Sequence, residues 1–366
     1  MRRFSRTIHV GNVAIGGNSP ISVQSMTNTD TRNIDATLSQ INRMADQGCD
    51  IVRCAVPDQQ AAEALGDISR KSPIPVIADI HFDYRLALSA ISAGVNGVRI
   101  NPGNIGSQDG VKQVAEAAGM ANIPIRVGAN SGSLSREMRE KMATWTHLTQ
   151  AERMSEALVQ SALTECESLE KYGFRDIKVS LKASNVVEMV AATRLFAART
   201  DYPLHIGVTE AGTPARGIIK SAVGIGALLL DGIGDTLRVS LTADPVSEIA
   251  PALRILESCG LRDSEPEIVS CPTCGRTEID LISLAQKVEE LIASYKAAHY
   301  RINLKKIAVM GCVVNGPGEA KDAELGIAGG RGKIAIFSYG NPIGTYSETE
   351  GFTVFQQKLE EFLRKK

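Results

Sequence analysis

The chain has 366 residues, 40 Lys and Arg against 41 Asp and Glu, and a formal net charge of −1. There is no basic field to hold nucleic acid or an anionic membrane, and aromatics make up only 4%. Apolar residues at 43% support a full core, and no apolar run approaches the ~20 residues of a membrane span. The basic start, Met1-Arg2-Arg3-Phe4-Ser5-Arg6, lacks the apolar stretch of a signal peptide, so a cytoplasmic location is expected. In that compartment the seven cysteines read as free thiols, metal ligands or redox groups rather than disulfides.

From the N-terminus one pattern repeats. A short Val- and Ile-rich run meets Gly, Asn, Asp or Pro, and then comes a helical stretch. The runs are Ile21–Met26, Ile51–Val56, Val76–His81, Gly97–Pro102, Ile125–Asn130, Ile177–Lys182, Leu204–Thr209 and Thr236–Thr242. Their nearly continuous apolar starts suit strands buried on both faces. Amphipathic stretches such as Ile34–Met44 and Asn185–Ala198 lie between them. Such β-then-α units predict an α/β fold, a (β/α)8 TIM barrel over residues 1–260. An open doubly wound sheet competes, but no GxGxxG follows the first strand. The fifth connection, Ser131 to Asp176, is long and polar, holds Trp145, and is expected to carry an extra helix.

After Cys259 the periodicity changes. Leu261–Glu267 reads as a linker. A strand (Glu267–Ser270), a helix (Asp280–Ala298), a strand (Lys306–Gly311), a hairpin (Gly326–Tyr339) and a helix (Ser347–Arg364) should come next. Residues 261–366 thus form a smaller α+β domain.

In a barrel, catalysis sits at the C-terminal ends of the strands. Asp79 and His81 are two apart there, as are Arg99 and Asn101, Ser180 and Lys182, and Arg238 and Ser240, so each pair shares a face. Arg53 and Arg126 lie within two further strands. These cations come from separate strands and can converge on one space. Asp79 and Glu210 could offset only part of their charge. The remainder implies a polyanionic ligand, and Arg forks suit phosphate or diphosphate. The competing account makes them internal ion pairs at the barrel floor or places them on the outer face. His9, His147, His205 and His299 have no comparable context.

The smaller domain holds Cys271-Pro272-Thr273-Cys274, and later Cys312 in a Gly-rich stretch ending at Glu319. A structural zinc site wants four ligands, and no second pair is present. A thioredoxin-type dithiol fits CxxC between strand and helix but leaves Cys312 unexplained. An iron–sulfur cluster on three thiolates would leave one iron for a weaker oxygen ligand, and Glu319 is spaced to be it. The three readings stay open on spacing alone. Cys49, Cys54, Cys166 and Cys259 read as small buried apolar residues.

Taken together, these segments resemble a known family, the bacterial 4-hydroxy-3-methylbut-2-en-1-yl diphosphate synthases of the methylerythritol phosphate route to isoprenoids. The resemblance rests on Val23-Gln24-Ser25-Met26-Thr27-Asn28-Thr29, Ala78-Asp79-Ile80-His81-Phe82-Asp83-Tyr84-Arg85, Arg99-Ile100-Asn101-Pro102-Gly103-Asn104-Ile105-Gly106 and Gly234-Asp235-Thr236-Leu237-Arg238-Val239-Ser240. It extends to Cys271-Pro272-Thr273-Cys274 and Gly311-Cys312-Val313-Val314-Asn315-Gly316-Pro317-Gly318-Glu319. It implies a [4Fe–4S] cluster on Cys271, Cys274, Cys312 and Glu319. It also implies a barrel that binds the cyclic diphosphate of 2-C-methyl-D-erythritol. Family site residues match Arg53, Asp79, His81, Arg99, Asn101, Arg126, Asn130, Lys182, Glu210, Arg238 and Ser240. Between Thr242 and Pro266 there is room only for an eighth helix and a linker, as in the short bacterial form.

The implied reaction opens a ring C–O bond, loses a hydroxyl as water and takes up two electrons, which side chains cannot supply. Glu210 is the expected proton donor, while the arginines and Lys182 hold the diphosphate. Electrons are expected from flavodoxin or ferredoxin. Barrel helices run from mouth to floor, and a linker of roughly seven residues spans at most about 25 Å. The cluster domain therefore starts at the wrong end to cap its own barrel. A homodimer with an active site shared between chains is expected, and the resemblance implies the same. Two alternatives remain: a dihydropteroate-synthase-like barrel doing non-redox C–O substitution beside a zinc or dithiol domain, and a redox-sensing module.

Overall fold

Val, Ile and Ala dominate the inner halves of the barrel runs, and each run pairs in parallel with its neighbours. The structure, a computed structural model, describes residues 2–262, 266–274, 277, 279–298, 300–312, 320–330 and 332–365. It divides into two compact units, Met1–Arg262 and Asp263–Lys366.

The first unit opens with a hairpin, β1 (Ile8–Val10) and β2 (Val13–Ile15). The barrel strands are β3 (Ser22–Met26), β4 (Ile51–Ala55), β5 (Val76–Asp79), β6 (Gly97–Arg99), β7 (Ile125–Asn130), β8 (Ile177–Lys182), β9 (His205–Ile206) and β10 (Thr236–Leu237). They form one 8-stranded sheet in the order β8-β7-β6-β5-β4-β3-β10-β9. A parallel bridge between Val179 and Leu204 links β8 to β9 and closes the ring. Val52, Ala78, Val98, Ile125 and Val179 pack under the surrounding helices. Those helices are α1 (Ile34–Asp46), α2 (Gln59–Lys71), α3 (Tyr84–Ser92), α4 (Gln108–Ala121), α5 (Arg136–Thr144), α6 (Gln150–Glu170), α7 (Val186–Arg199), α8 (Pro214–Leu230) and α9 (Ile249–Ser258). The TIM-barrel fold expected from the repeat is therefore present.

Several element bounds differ from the sequence reading. Strands β7 and β8 match it, whereas β5, β6, β9 and β10 are shorter than the runs that predicted them. Asp79 and Arg99 are the last residues of their strands, and the Ile80 and Ile100 N–H groups carry the pairing one bond further, to the Arg99 and Arg126 carbonyls. Glu210, the expected proton donor, lies in a bend four residues past β9 with φ of 52°. The β1–β2 hairpin was not foreseen; Ile8, Val10 and Ile15 pack with Ile51 and Ile77 at the barrel floor. The extra helix of the fifth connection is α5, which ends at Trp145.

The second unit has a mixed sheet in the order β11-β13-β14-β15-β16. Its strands are β11 (Glu267–Ser270), β13 (Lys306–Met310), β14 (Leu325–Gly330), β15 (Lys333–Ser338) and β16 (Asn341–Ser347). The first three are parallel, and the last two complete antiparallel pairs. Two helices, α10 (Leu281–Ala297) and α11 (Glu348–Glu360), pack through Leu284, Val288, Phe355 and Leu359 onto Ile307, Val309, Ile327 and Ile336. Strand β16 was not foreseen. The C-terminal helix stops short of the expected Arg364, because Leu363–Lys365 forms β17 against β12 (Tyr300–Ile302). Among the described residues, no helix is long and apolar enough to cross a membrane.

Candidate active site

Strand alternation turns every second barrel residue inward, and near the mouth these residues are charged. Asp79, at the end of β5, sits among three cationic or polar neighbours. Arg99 Nη1 is 3.2 Å from Oδ1, Arg53 Nε is 3.5 Å from Oδ2, and His81 Nε2 is 3.7 Å from Oδ2. Burial alone would raise this carboxyl; the Arg53 guanidinium, with His81 and Arg99, holds it well below the usual carboxylate range. Arg99 Nη1 also lies 3.3 Å from both His81 ring nitrogens, and 55% of the His81 side chain stays exposed.

On the β10 side, Arg238 is gripped by Glu248 through Nε–Oε2 at 3.0 Å and Nη2–Oε1 at 3.2 Å. Glu248 ends the turn Pro245–Glu248 and also accepts from Ser25 Oγ and the Leu241 N–H. This corrects the expected charge balance. Glu248 supplies the second buried carboxylate; Glu210 is exposed and makes no ion pair among the described residues. The reason is local. Glu210 follows a β9 of only two residues, whereas the turn before α9 folds Glu248 back over β3.

The remaining cations lack carboxylates at ion-pair distance among the described residues. Arg126 donates to Ser180 Oγ from Nη2 at 3.0 Å, while its Nη1 has no protein partner. Lys182 lies in register with Asn130, and burial beside Arg126 and Arg53 pushes its ammonium well below the usual lysine range. The buried Asn101 Oδ1 is unpartnered, and the Asn130 Oδ1 accepts from the Gly132 N–H. Ser240 is half-buried beyond β10. An apolar barrel interior would reject such a set. Geometry of this kind accepts an anion with several oxygens.

Two groups here were missed in the sequence. Glu165 on α6 takes the Gly103 N–H at 3.2 Å from Oε2, and it shares a cleft with Asn101 and Asn130. Burial pushes its carboxyl up to about 7, against the Gly103 hydrogen bond and the Arg99 charge. His205, set aside for lack of context, is buried inside the barrel with neither ring nitrogen partnered. Of the other cysteines, burial pushes the Cys49 thiol up to about 12 and Cys54 up to about 11, which suits inert core residues.

In the second unit, Cys271 directly follows β11, and Gly311-Cys312 directly follow the adjacent parallel strand β13. The Gly311 N–H donates to Cys271 Sγ at 3.3 Å, the kind of bond a cluster thiolate receives. Cys274 lies exposed before α10, its N–H bonded to Thr277 Oγ1. Among the described residues, no three His, Cys, Asp or Glu side chains gather closely enough to grip a single metal ion. Three cysteines, one of them receiving a backbone N–H on its sulfur, suit an iron–sulfur cluster, whose thiolates accept such bonds. Glu319 lies outside the described residues.

Comparisons agree with this division. The chain matches the GcpE TIM-barrel domain over residues 5–253 and the GcpE protein C-terminal domain over residues 267–361. It is 54% identical over 366 residues to the 4-hydroxy-3-methylbut-2-en-1-yl diphosphate synthase (flavodoxin) of Geobacter sulfurreducens, covering 100% of both chains. It is 53% identical to the protein of that name from Clostridium perfringens, over 95% of this chain and 96% of the other. Among solved structures, a dihydropteroate synthase from Coxiella burnetii aligns with a TM-score of 0.50 and 11% identity, over 72% of this chain and 100% of that one. That likeness shows the barrel fold alone. Full-length identity of this order, with both domains matched in sequence, means that the chain belongs to the GcpE family.

Proposed function

We propose that this chain is a cytoplasmic oxidoreductase that converts 2-C-methyl-D-erythritol 2,4-cyclodiphosphate to 4-hydroxy-3-methylbut-2-enyl diphosphate. Two electrons and two protons enter, a ring C–O bond breaks, and one water leaves. The observation that carries this reading is the only partly compensated cationic barrel mouth in a chain whose second unit brings cysteines to adjacent strand ends. The name shared by the relatives supports it, as does their full-length identity.

The chain's own groups divide the work. Arg53, Arg99, Arg126, Lys182 and Arg238 bind the diphosphate and neutralise the charge released when the ring opens. Asn101, Asn130 and Ser240 orient its oxygens. Asp79, held ionised by Arg53 and Arg99, fixes the His81 ring over the mouth. Glu210, exposed at the mouth end of the barrel, hands a proton to the departing hydroxyl. Its left-handed backbone is the strained conformation found at many functional positions. Cys271, Cys274, Cys312 and Glu319 would hold a [4Fe–4S] cluster. When bound, that cluster supplies one-electron chemistry that no side chain can provide.

The relatives are named for flavodoxin, which supports flavodoxin as electron donor, with ferredoxin as the alternative small carrier. A homodimer in which each barrel meets its partner's cluster domain completes the proposal; the short connection after α9 supports it. Iron and sulfide analysis of anaerobically purified protein tests the reading. About four irons and four sulfides per chain are expected. Zinc in their place would overturn it in favour of the non-redox alternative.

A further inference from the structure

Beneath the mouth, the barrel interior is not filled by aliphatic side chains alone. Ile51 and Ile77 pack there against the β1–β2 hairpin. Three polar residues share the interior: Gln24 on β3, Lys178 on β8 and His205 on β9, exposed by 1%, 1% and 2%. None of their side-chain nitrogens or oxygens has a protein partner. A fold retains buried, unpaired polar groups only when something requires them.

Lys178 is paired in register with Arg126. Alternation puts Lys178, Ser180 and Lys182 on one face of β8, and Ser180 on that face receives the Arg126 guanidinium. Lys178 therefore lies inside the barrel, two steps below Lys182. The groups that bear on it are Arg126 from β7, Arg53 from β4 and Asp235 just before β10. His205 from β9 and Lys182 from its own strand share the same interior, and β3 contributes the neutral Gln24. The other face of β8 is covered by α6 and α7. Asp235 is already committed to Arg2, Ser5 and the Leu204 N–H. Asp79 is shared by Arg53 and Arg99, and Glu248 is taken by Arg238. Arg126, Lys178 and Lys182 thus form a column of basic side chains with no carboxylate at ion-pair distance among the described residues.

We propose that Lys178 is a proton-exchanging positioning residue: above neutral pH it is uncharged while the mouth is empty, and it takes up a proton when the diphosphate settles on Arg126 and Lys182. This rests on the diphosphate reading given above. Lys178 touches no substrate and acts through Arg126. In the free protein, burial and the Arg126 and Arg53 charges push its ammonium down to about 7, with Asp235 opposing. A bound dianion adds negative charge to the same enclosed space and favours the ammonium. Binding then prefers protonated Lys178. Affinity is greatest below the free-state pKa and falls as pH rises from there toward the bound-state value.

The test is calorimetric titration of the oxidised, anaerobic holoenzyme with the cyclodiphosphate, without reductant, in buffers of different ionisation enthalpy. A cyclic diphosphate has no ionisation near neutrality, so the proton count belongs to the protein. At about pH 8 the wild type should take up protons on binding, and at about pH 6 markedly fewer. Lys178→Met should still bind but take up about one proton fewer than the wild type at the higher pH. Lys178→Gln serves equally if the Met variant does not fold. An unchanged count in the variants would assign the proton to Lys182 and overturn the proposal. Binding without proton uptake by the wild type would also overturn it. No binding at all would overturn the diphosphate reading and this inference together.

Discussion

Glu248 and Arg238 form a two-pronged ion pair inside the barrel, at 3.0 and 3.2 Å. The carboxylate is 2% exposed and also holds Ser25 and the Leu241 backbone. It therefore fixes the angle at which Arg238 reaches toward the mouth. Glu248→Gln keeps the shape and removes the charge. A buried cation left without its partner typically costs about 3 kcal/mol, so denaturant unfolding should show a loss of that order. An unchanged midpoint would mean that Arg238 finds another partner.

Arg126→Ala and Arg238→Ala should leave the visible spectrum of the cluster unchanged while weakening substrate binding. Loss of one charge-assisted contact is worth ~1.5–3 kcal/mol, so the dissociation constant should rise about tenfold or more. Equilibrium binding to the oxidised protein measures this. Unchanged affinity in both variants would place these arginines outside the pocket.

Replacing Cys271, Cys274 or Cys312 with Ser should bleach the broad absorption near roughly 400 nm expected of the cluster. Glu319→Ala should be gentler, since three thiolates remain. Lower iron occupancy and faster damage by oxygen are expected, read by iron content and decay of absorbance in air. Wild-type behaviour would exclude Glu319 as the fourth ligand.

Glu165 gives a pH signature. Its folded-state pKa is raised, chiefly by burial, to about 7. A raised carboxyl favours the folded state most at pH below its unfolded pKa, and that contribution is lost as pH rises through about 7. Glu165→Gln removes the charge but keeps an acceptor for the Gly103 N–H. Relative to wild type, the variant should gain thermal stability at about pH 8 and little at about pH 5. Equal differences at both pH values would contradict this.

Much of the barrel was legible because its strands obey local rules. Ile125–Asn130 and Ile177–Lys182 are Val- and Ile-rich runs ended by polar residues, and β7 and β8 occupy them without change. The period of two also paired Asp79 with His81 and Arg99 with Asn101, and Asp79 meets both His81 and Arg99 in the structure. It applied equally to Lys178, two residues before Ser180, yet a lysine at a barrel floor reads as an outward side chain until burial is seen. Glu248 was not legible, because its partner Arg238 is reached only through the turn before α9. Glu165 bonds across 62 residues to Gly103, a pairing no local pattern encodes. The last strand, β17, depends on pairing with β12, so the residues beyond α11 read as helix.

The shared site can be tested by mixing Arg238→Ala with Cys312→Ser under conditions of subunit exchange. If each site combines one chain's barrel with its partner's cluster, a mixed dimer has one site free of both defects. Random pairing makes about half the dimers mixed, so about a quarter of all sites should work. Proven exchange with no recovered activity would refute the shared active site.

In the proposed reaction the barrel's diphosphate is opened by electrons delivered through thiolate-held iron. The most direct measurement is the electron count per product formed, using anaerobic protein, the cyclodiphosphate and a titrated amount of reduced flavodoxin. Two flavodoxin-derived electrons should be consumed for each 4-hydroxy-3-methylbut-2-enyl diphosphate released, and no product should form without reductant. Product formed with no electrons consumed, or by colourless zinc-loaded protein, would contradict it.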